Sequence, residues 1–188
     1  DAAGVSATTA VTIRVIDDGI VAPTPALSGG VVAENAAGAV VGTLPDAAGA
    51  TYTVDDPRFE IVDAGGVQTL KLKDGIALDH EAAARLTLRI TATGADGGTV
   101  VADVLVRVTD INEAPSAPVL SGNTVAENAA GAVIGLVTAT DPDAAGSSNG
   151  RLTYSVDDAR FEIVGGVLKL RDGISLDHEA AARVDLVI

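Results

Sequence analysis

Cysteine is absent from the 188 residues, which excludes both a disulfide framework and a thiolate zinc site. Tryptophan is absent as well, and the aromatic residues are Tyr52, Phe59, Tyr154 and Phe161. Any core must therefore be built from small or branched aliphatic side chains around very few rings. Basic residues are scarce: 12 Lys and Arg stand against 26 Asp and Glu, for a net charge of −14 and a pI of about 4.2. The basic residues are scattered rather than clustered, which argues against nucleic acid and against an anionic membrane surface as partners. No run of 18 apolar residues occurs, so membrane insertion by a helix is not expected, and no signal-peptide pattern is seen.

What is present is repetition. Val32-Ala-Glu-Asn-Ala-Ala-Gly-Ala-Val40 returns as Val125-Ala-Glu-Asn-Ala-Ala-Gly-Ala-Val133, an offset of 93. Leu78-Asp-His-Glu-Ala-Ala-Ala-Arg85 returns as Leu176-Asp-His-Glu-Ala-Ala-Ala-Arg183, an offset of 98. Tyr52 and Phe59 match Tyr154 and Phe161 at 102, so the length changes fall in loop-like Gly, Ala, Ser and Asp stretches. A partial third copy opens the chain, where Val11-Thr-Ile-Arg-Val-Ile-Asp17 matches Val104-Leu-Val-Arg-Val-Thr-Asp110 at 93. The division implied is 1–23 as the final strand and linker of a preceding repeat, 24–115 as a complete repeat, and 116–188 as a repeat lacking its last strand. Domains of this size are marginal on core burial alone, and with no disulfide available a bound metal is the obvious remaining staple.

Strand patterns dominate. From Thr99 to Thr109, Val100, Ala102, Val104, Val106 and Val108 share one face, while Asp103 and Arg107 share the other. Leu86, Leu88, Ile90 and Ala92 alternate with Thr87, Arg89, Thr91 and Thr93. This period of two predicts strands with one face on a core. Strands are expected near 31–34, 39–44, 51–54, 59–62, 68–73, 85–93 and 99–109, with Gly, Pro, Asp and Asn in the gaps. Seven short strands in such a length predict an all-β fold: tandem Greek-key, seven-stranded antiparallel β-sandwiches of immunoglobulin-like architecture.

The set Ala-Glu-Asn, Leu-Asp-His-Glu, Asp110-Ile-Asn-Glu-Ala-Pro115, Asp141-Pro-Asp143 and Asn149-Gly-Arg-Leu-Thr-Tyr154 resembles the bacterial cadherin-like repeat, over almost the whole chain. The resemblance implies calcium ions lodged where successive repeats meet. It assigns ligands to Glu34, Asp79 and Glu81, to Asp110, Asn112 and Glu113, and to Asp141 and Asp143. Backbone carbonyls of Ile111, Ala114 and Asn149 complete the set. The family pattern has Asp where Glu113 stands, which keeps a carboxylate, and Asn where Ala114 stands, which keeps the carbonyl. Calcium takes six to eight hard oxygens in a loose geometry, and the gathered carboxylates would repel one another without it. At the other joint, Asp17-Asp-Gly-Ile-Val-Ala-Pro23 lacks the linker's Asn and Glu. Asp46 there has no counterpart of Asp141 or Asn149 beside it, and Gly94 replaces an acid, so poor or no calcium binding is expected.

Other candidates explain less. His80 and His178 occupy equivalent positions beside acids, but no Ser or Cys nucleophile motif accompanies them, and no enzyme is expected. Lys73-Asp74-Gly75, Arg171-Asp172-Gly173, Gly65-Gly66 and Gly165-Gly166 read as turns. Carbohydrate binding needs exposed aromatic platforms, whereas these aromatics recur within strands. Strand exchange through a docked Trp is excluded by its absence. The resemblance thus implies an extracellular segment that stiffens a bacterial surface adhesin, for cell adhesion or biofilm formation. Its partners would be calcium ions, neighbouring repeats, and other adhesin chains or surface glycans. The alternative is a spacer or carbohydrate-binding module of a secreted multidomain enzyme. The unpartnered strand at one end and the open repeat at the other also raise head-to-tail strand donation between chains.

Overall fold

The computed structural model describes residues 10–13, 21–47, 49–145 and 147–188. Residues 14–17 of the opening repeat copy, and 17–20 of the first joint, lie outside them. The chain forms two compact units. One comprises the chain up to Val32 with Ala36–Leu78 and Arg85–Val108; the other comprises Ala33–Asn35, Asp79–Ala84 and Thr109–Ile188. No helix of the described residues is long and apolar enough to cross a membrane.

The first unit is a sandwich of two four-stranded sheets. Its strands are β1 (Ser28–Gly29), β2 (Val31–Ala33), β3 (Val40–Thr43), β4 (Thr51–Val54), β5 (Phe59–Ala64), β6 (Val67–Leu72), β7 (Arg85–Thr93) and β8 (Thr99–Thr109). One sheet runs β1-β3-β6-β5 and the other β2-β8-β7-β4. Seven strands were expected and found in these places. The eighth arises because the first strand is cut in two, β1 joining one sheet and β2 the other. Gly29 and Gly30, at φ 106 and 79, make that crossing. A Cβ on Gly29 would stand 2.9 Å from the Val41 carbonyl oxygen, and one on Gly30 2.9 Å from that of Leu105, so a side chain is excluded at both.

The period of two is met face by face. Leu88 lies opposite Val104 and Ile90 opposite Ala102, pointing inward, while Arg89 lies opposite Asp103 and bonds it at 3.1 Å outside. Leu70, Leu72, Leu88, Ile90 and Val106 are almost wholly buried, around Phe59 and Tyr52. The Tyr52 hydroxyl donates to the Pro45 carbonyl at 2.6 Å, which satisfies the one polar atom of that ring.

The second unit has β9 (Val119–Leu120), β10 (Val133–Thr138), β11 (Phe161–Val164) and β12 (Val167–Leu170), in the order β11-β12-β10-β9. Local devices of the first unit recur. Arg58 and Arg160 each clasp the aspartate two residues back and lie 5.9 Å from the ring of the following Phe. The Asp157 amide bonds the Val187 carbonyl at 3.2 Å, as the Asp55 amide bonds that of Arg89 at 3.1 Å. The counterparts of β2, β4 and β7, near 124–126, 152–156 and 183–188, belong to no sheet among the described residues. In the first unit β8 sits between β2 and β7, so it is the strand that knits that sheet.

Equivalent side chains therefore carry unequal weight. Leu88 is 1% exposed, whereas Leu186 is partly exposed. Leu88→Ala should destabilise the first unit by about 2–5 kcal/mol, and Leu186→Ala the second by under about 1 kcal/mol. Urea unfolding followed by circular dichroism checks this; equal losses would contradict the burial difference.

Candidate metal centre

The Glu34–Asn35 pair explains how an acid comes to lie inside this protein. Asn35 adopts φ 58, a left-handed conformation that Asn tolerates, and Asn128 repeats it at φ 59. The bend leaves Glu34 3% exposed, with its backbone amide bonded to the Thr109 carbonyl at 3.1 Å. The Glu34 carboxylate then accepts two backbone amides, Ile111 on Oε1 at 2.7 Å and His80 on Oε2 at 2.8 Å. One side chain thereby ties together three segments distant in sequence. The Asn35 amide donates to Glu113 Oε1 at 2.8 Å, so the residue after the acid also grips the linker.

Asp143 enters from the Asp-Pro-Asp turn and is 3% exposed. Its Oδ2 accepts the Glu113 amide at 3.0 Å, and its own amide donates to Asp141 Oδ1 at 3.1 Å. Its Oδ1 is buried and has no hydrogen-bond partner. The Asn149 side chain donates to Asp110 Oδ1 at 3.0 Å. Carboxylate oxygens of Glu34, Glu81, Asp110 and Asp143 all lie within 4.8 Å of one another, as do ligand atoms of His80, Glu81 and Asp110.

The electrostatics follow from this crowding. The Glu113 amide pulls the Asp143 carboxyl down, but desolvation and the neighbouring Asp141 and Asp110 together hold it above the usual aspartate value. His80 is pushed up, first by its hydrogen bond to Glu81 and then by the charges of Glu81, Asp110 and Glu34. A buried carboxylate oxygen with no donor, facing other carboxylates, is costly as it stands. The four converging carboxylates offer only hard oxygens, which fits a calcium-like cation better than a soft metal, and the His80 ring nitrogen belongs only to the group with Glu81 and Asp110.

Of the residues the sequence pointed to, four form this cluster. Asp141 accepts the Asp143 amide and the Asn149 side chain donates to Asp110, so both hold cluster members in place. Asp79 Oδ1 accepts the Ala82 amide at 2.9 Å as a turn cap. The Asn112 side chain donates to the Glu113 carbonyl at 3.2 Å, so it orders the linker. The Ile111 amide donates to Glu34, and Ala114 is exposed; neither observation concerns the carbonyls that the resemblance assigned. Sequence reasoning passed over Asn35 and the amide of His80. The recurrence of Glu-Asn in both copies was the available signal for the first. The second copy's Glu127, Asp177 and Glu179 approach one another similarly but are all exposed. At the first joint, Asp46 lies near Tyr52 and helps raise its phenol pKa, after burial. At Gly94 a Cβ would stand 2.7 Å from the Ala22 amide nitrogen, so the passing chain leaves no room there for an acidic side chain.

No family model matches this chain. Human protocadherin-15 is 42% identical over 116 residues, 56% of this chain and 6% of that protein. Chicken cadherin-1 is 32% identical over 128 residues, 61% of this chain and 14% of that protein. The chain thus spans a small part of the curated relatives it matches. Among solved structures, human protocadherin-24 EC1-2 (Form II) superposes with a TM-score of 0.66 at 26% identity, over 84% of this chain and 80% of that one. The fold is cadherin-like.

In metal-free buffer the raised Asp143 carboxyl means the folded unit holds more protons than the unfolded chain. Stability of the second unit should therefore fall as pH rises from the ordinary aspartate range through the raised value, with His80 pushing the same way above about pH 6.5. Asp143→Asn keeps an acceptor for the Glu113 amide and removes the charge. It should flatten the acidic part of that slope and raise metal-free stability. Thermal unfolding in chelator across pH measures both; an unchanged slope would contradict the assignment.

Proposed function

We propose that this chain is a calcium-binding, cadherin-like extracellular repeat segment that stiffens a bacterial surface adhesin. The observation that carries the calcium reading is the partnerless, buried Asp143 Oδ1 among the carboxylates of Glu34, Glu81 and Asp110. A divalent ion supplies the positive charge that this cluster lacks. Around it, Glu34 keeps the 80 and 111 segments in register through their amides. The Glu113 amide and Asp141 orient Asp143, and Asn149 orients Asp110. Four stretches far apart in sequence are then held as one body when the ion is bound, and repel when it is removed. That is a mechanical function, suited to a rod made of repeats. The adhesive role draws on the cadherins and protocadherins named above. The bacterial setting rests on the motif resemblance and on the cysteine-free, aromatic-poor composition, since the named relatives are vertebrate.

The carbohydrate-binding alternative has less support. Tyr52, Phe59 and Phe161 are buried, and Tyr154 is half-buried with its oxygen accepting the Ala139 amide at 3.0 Å. The three buried rings offer no open face on which a sugar stacks.

Calorimetric titration of calcium into this chain should give dissociation constants of about 10⁻⁴–10⁻³ M, with magnesium markedly weaker. At about tenfold excess over that affinity each ion should add roughly 1.4 kcal/mol to the stability of the second unit. Asp110→Asn should weaken binding about tenfold or more, and Asp46→Asn should leave it unchanged. Absence of both binding heat and thermal shift would end the calcium reading.

A further inference from the structure

Asn149 is set up for chemistry of its own. The chain has asparagine at 35, 112, 123, 128 and 149, and Asn149 alone is followed by glycine. That order matters. A backbone amide nitrogen can attack the side-chain carbonyl carbon of the asparagine before it, and a side chain on the attacking residue obstructs the approach. Gly150 has no Cβ to obstruct it. Asn149 and Gly150 lie in an irregular stretch after the Asp141–Asp143 turn, both half-buried, so water has access to them.

Neighbours hold each reacting group. Asn149 Nδ2, the group that would leave, donates to Asp110 Oδ1 at 3.0 Å. The Gly150 amide, the nucleophile, donates to Ser147 Oγ at 2.9 Å. The backbone is confined as well. A Cβ on Gly150 would stand 2.5 Å from the Ala144 carbonyl oxygen and 2.7 Å from that of Asp143, which leaves little room for the rotation that ring closure needs. One contact works the other way. The Ser148 hydroxyl donates to Asn149 Oδ1 at 3.4 Å, the oxygen on which negative charge builds as the ring forms.

We propose that Asn149–Gly150 is a self-modifying site, at which Asn149 deamidates through a succinimide at a pace set by the bonds to Asp110 and Ser147. The Gly150 nitrogen gives its proton to a solvent base and bonds to Asn149 Cγ. The Cγ–Nδ2 bond breaks, and the nitrogen takes a proton from water and leaves as ammonia. Water then adds to either ring carbonyl and opens the ring, giving aspartate or isoaspartate at 149. No electrons are transferred, and water is the only co-reactant. The product carries a carboxylate where a donor stood. Asp110 loses its partner and faces a further negative charge, so the 110 and 149 segments are no longer tied. The reaction concerns the covalent fate of Asn149 and holds whether or not an ion occupies the neighbouring cluster.

Incubation of the full chain in metal-free buffer at neutral pH, followed by peptide mapping with isoaspartate detection, tests it. Position 149 should convert from amide to acid while Asn35, Asn112, Asn123 and Asn128 keep their amides. The rate should be at least about tenfold below that of a free peptide of residues 147–153, since two hydrogen bonds restrain the folded site. Ser147→Ala removes one restraint and should react faster than the unsubstituted chain. The incubated chain should unfold at a lower temperature than the fresh one. Asn149→Asp should show that loss from the start, and Asn149→Gln, whose longer side chain closes a ring far more slowly, should show no change on incubation. An Asn149 amide still intact after many half-lives of the peptide overturns the site. Conversion at the peptide's rate, or no acceleration in Ser147→Ala, overturns the restraint. A converted chain as stable as the fresh one overturns the consequence for the 110 segment.

Discussion

The constraint on which this structure depends is the crowding of carboxylates around Asp110. Glu34, Glu81, Asp110 and Asp143 converge within 4.8 Å, and two of the four are buried. In water such a group would disperse, because each charge is better solvated alone. Here the backbone prevents dispersal. Glu34 is fixed by two amides, Asp143 by the Glu113 amide, and Asp110 by the Asn149 side chain. The protein thus spends hydrogen bonds on holding like charges together, which makes sense for an arrangement completed by a cation.

The same logic explains why the two similar sequences behave differently. Val32-Ala-Glu-Asn and Val125-Ala-Glu-Asn are identical, and both bend at a left-handed Asn. Yet Glu34 is 3% exposed and Glu127 is open to solvent. His178 donates its amide to Glu127 Oε2 at 3.3 Å, a longer version of the His80–Glu34 bond at 2.8 Å. Nothing in the local sequence distinguishes them. The difference is what lies on top: the 110–114 linker and the Asp141–Asp143 turn bury the first, and no described segment does so for the second.

How much was legible in the sequence varies with the range of the interaction. The alternation in 85–93 and 99–109 gave β7 and β8 almost to the residue, because side-chain direction in a strand is set by the neighbouring peptide units alone. The split of the first strand was not foreseen, although the Gly29-Gly30 pair marks it. The need for glycine there comes from the approach of Val41 and Leu105, residues the local pattern does not reveal. At the carboxylate cluster, residue types were readable and roles were not. Asp79 and Asp110 look alike as acids in loops, but one caps a turn and the other joins the cluster.

The sequence by itself determined the β period, the repeat, the acidic balance and the supply of hard oxygen donors near residue 110, since each is a property of residue identity and spacing. Tertiary structure alone decided which of those oxygens converge, that Glu34 is clamped by amides of His80 and Ile111, and that one oxygen of Asp143 is sealed from water without a donor. The reason is physical: burial and charge proximity are properties of chain segments brought together from 30 to 78 residues apart, and no local pattern carries that distance.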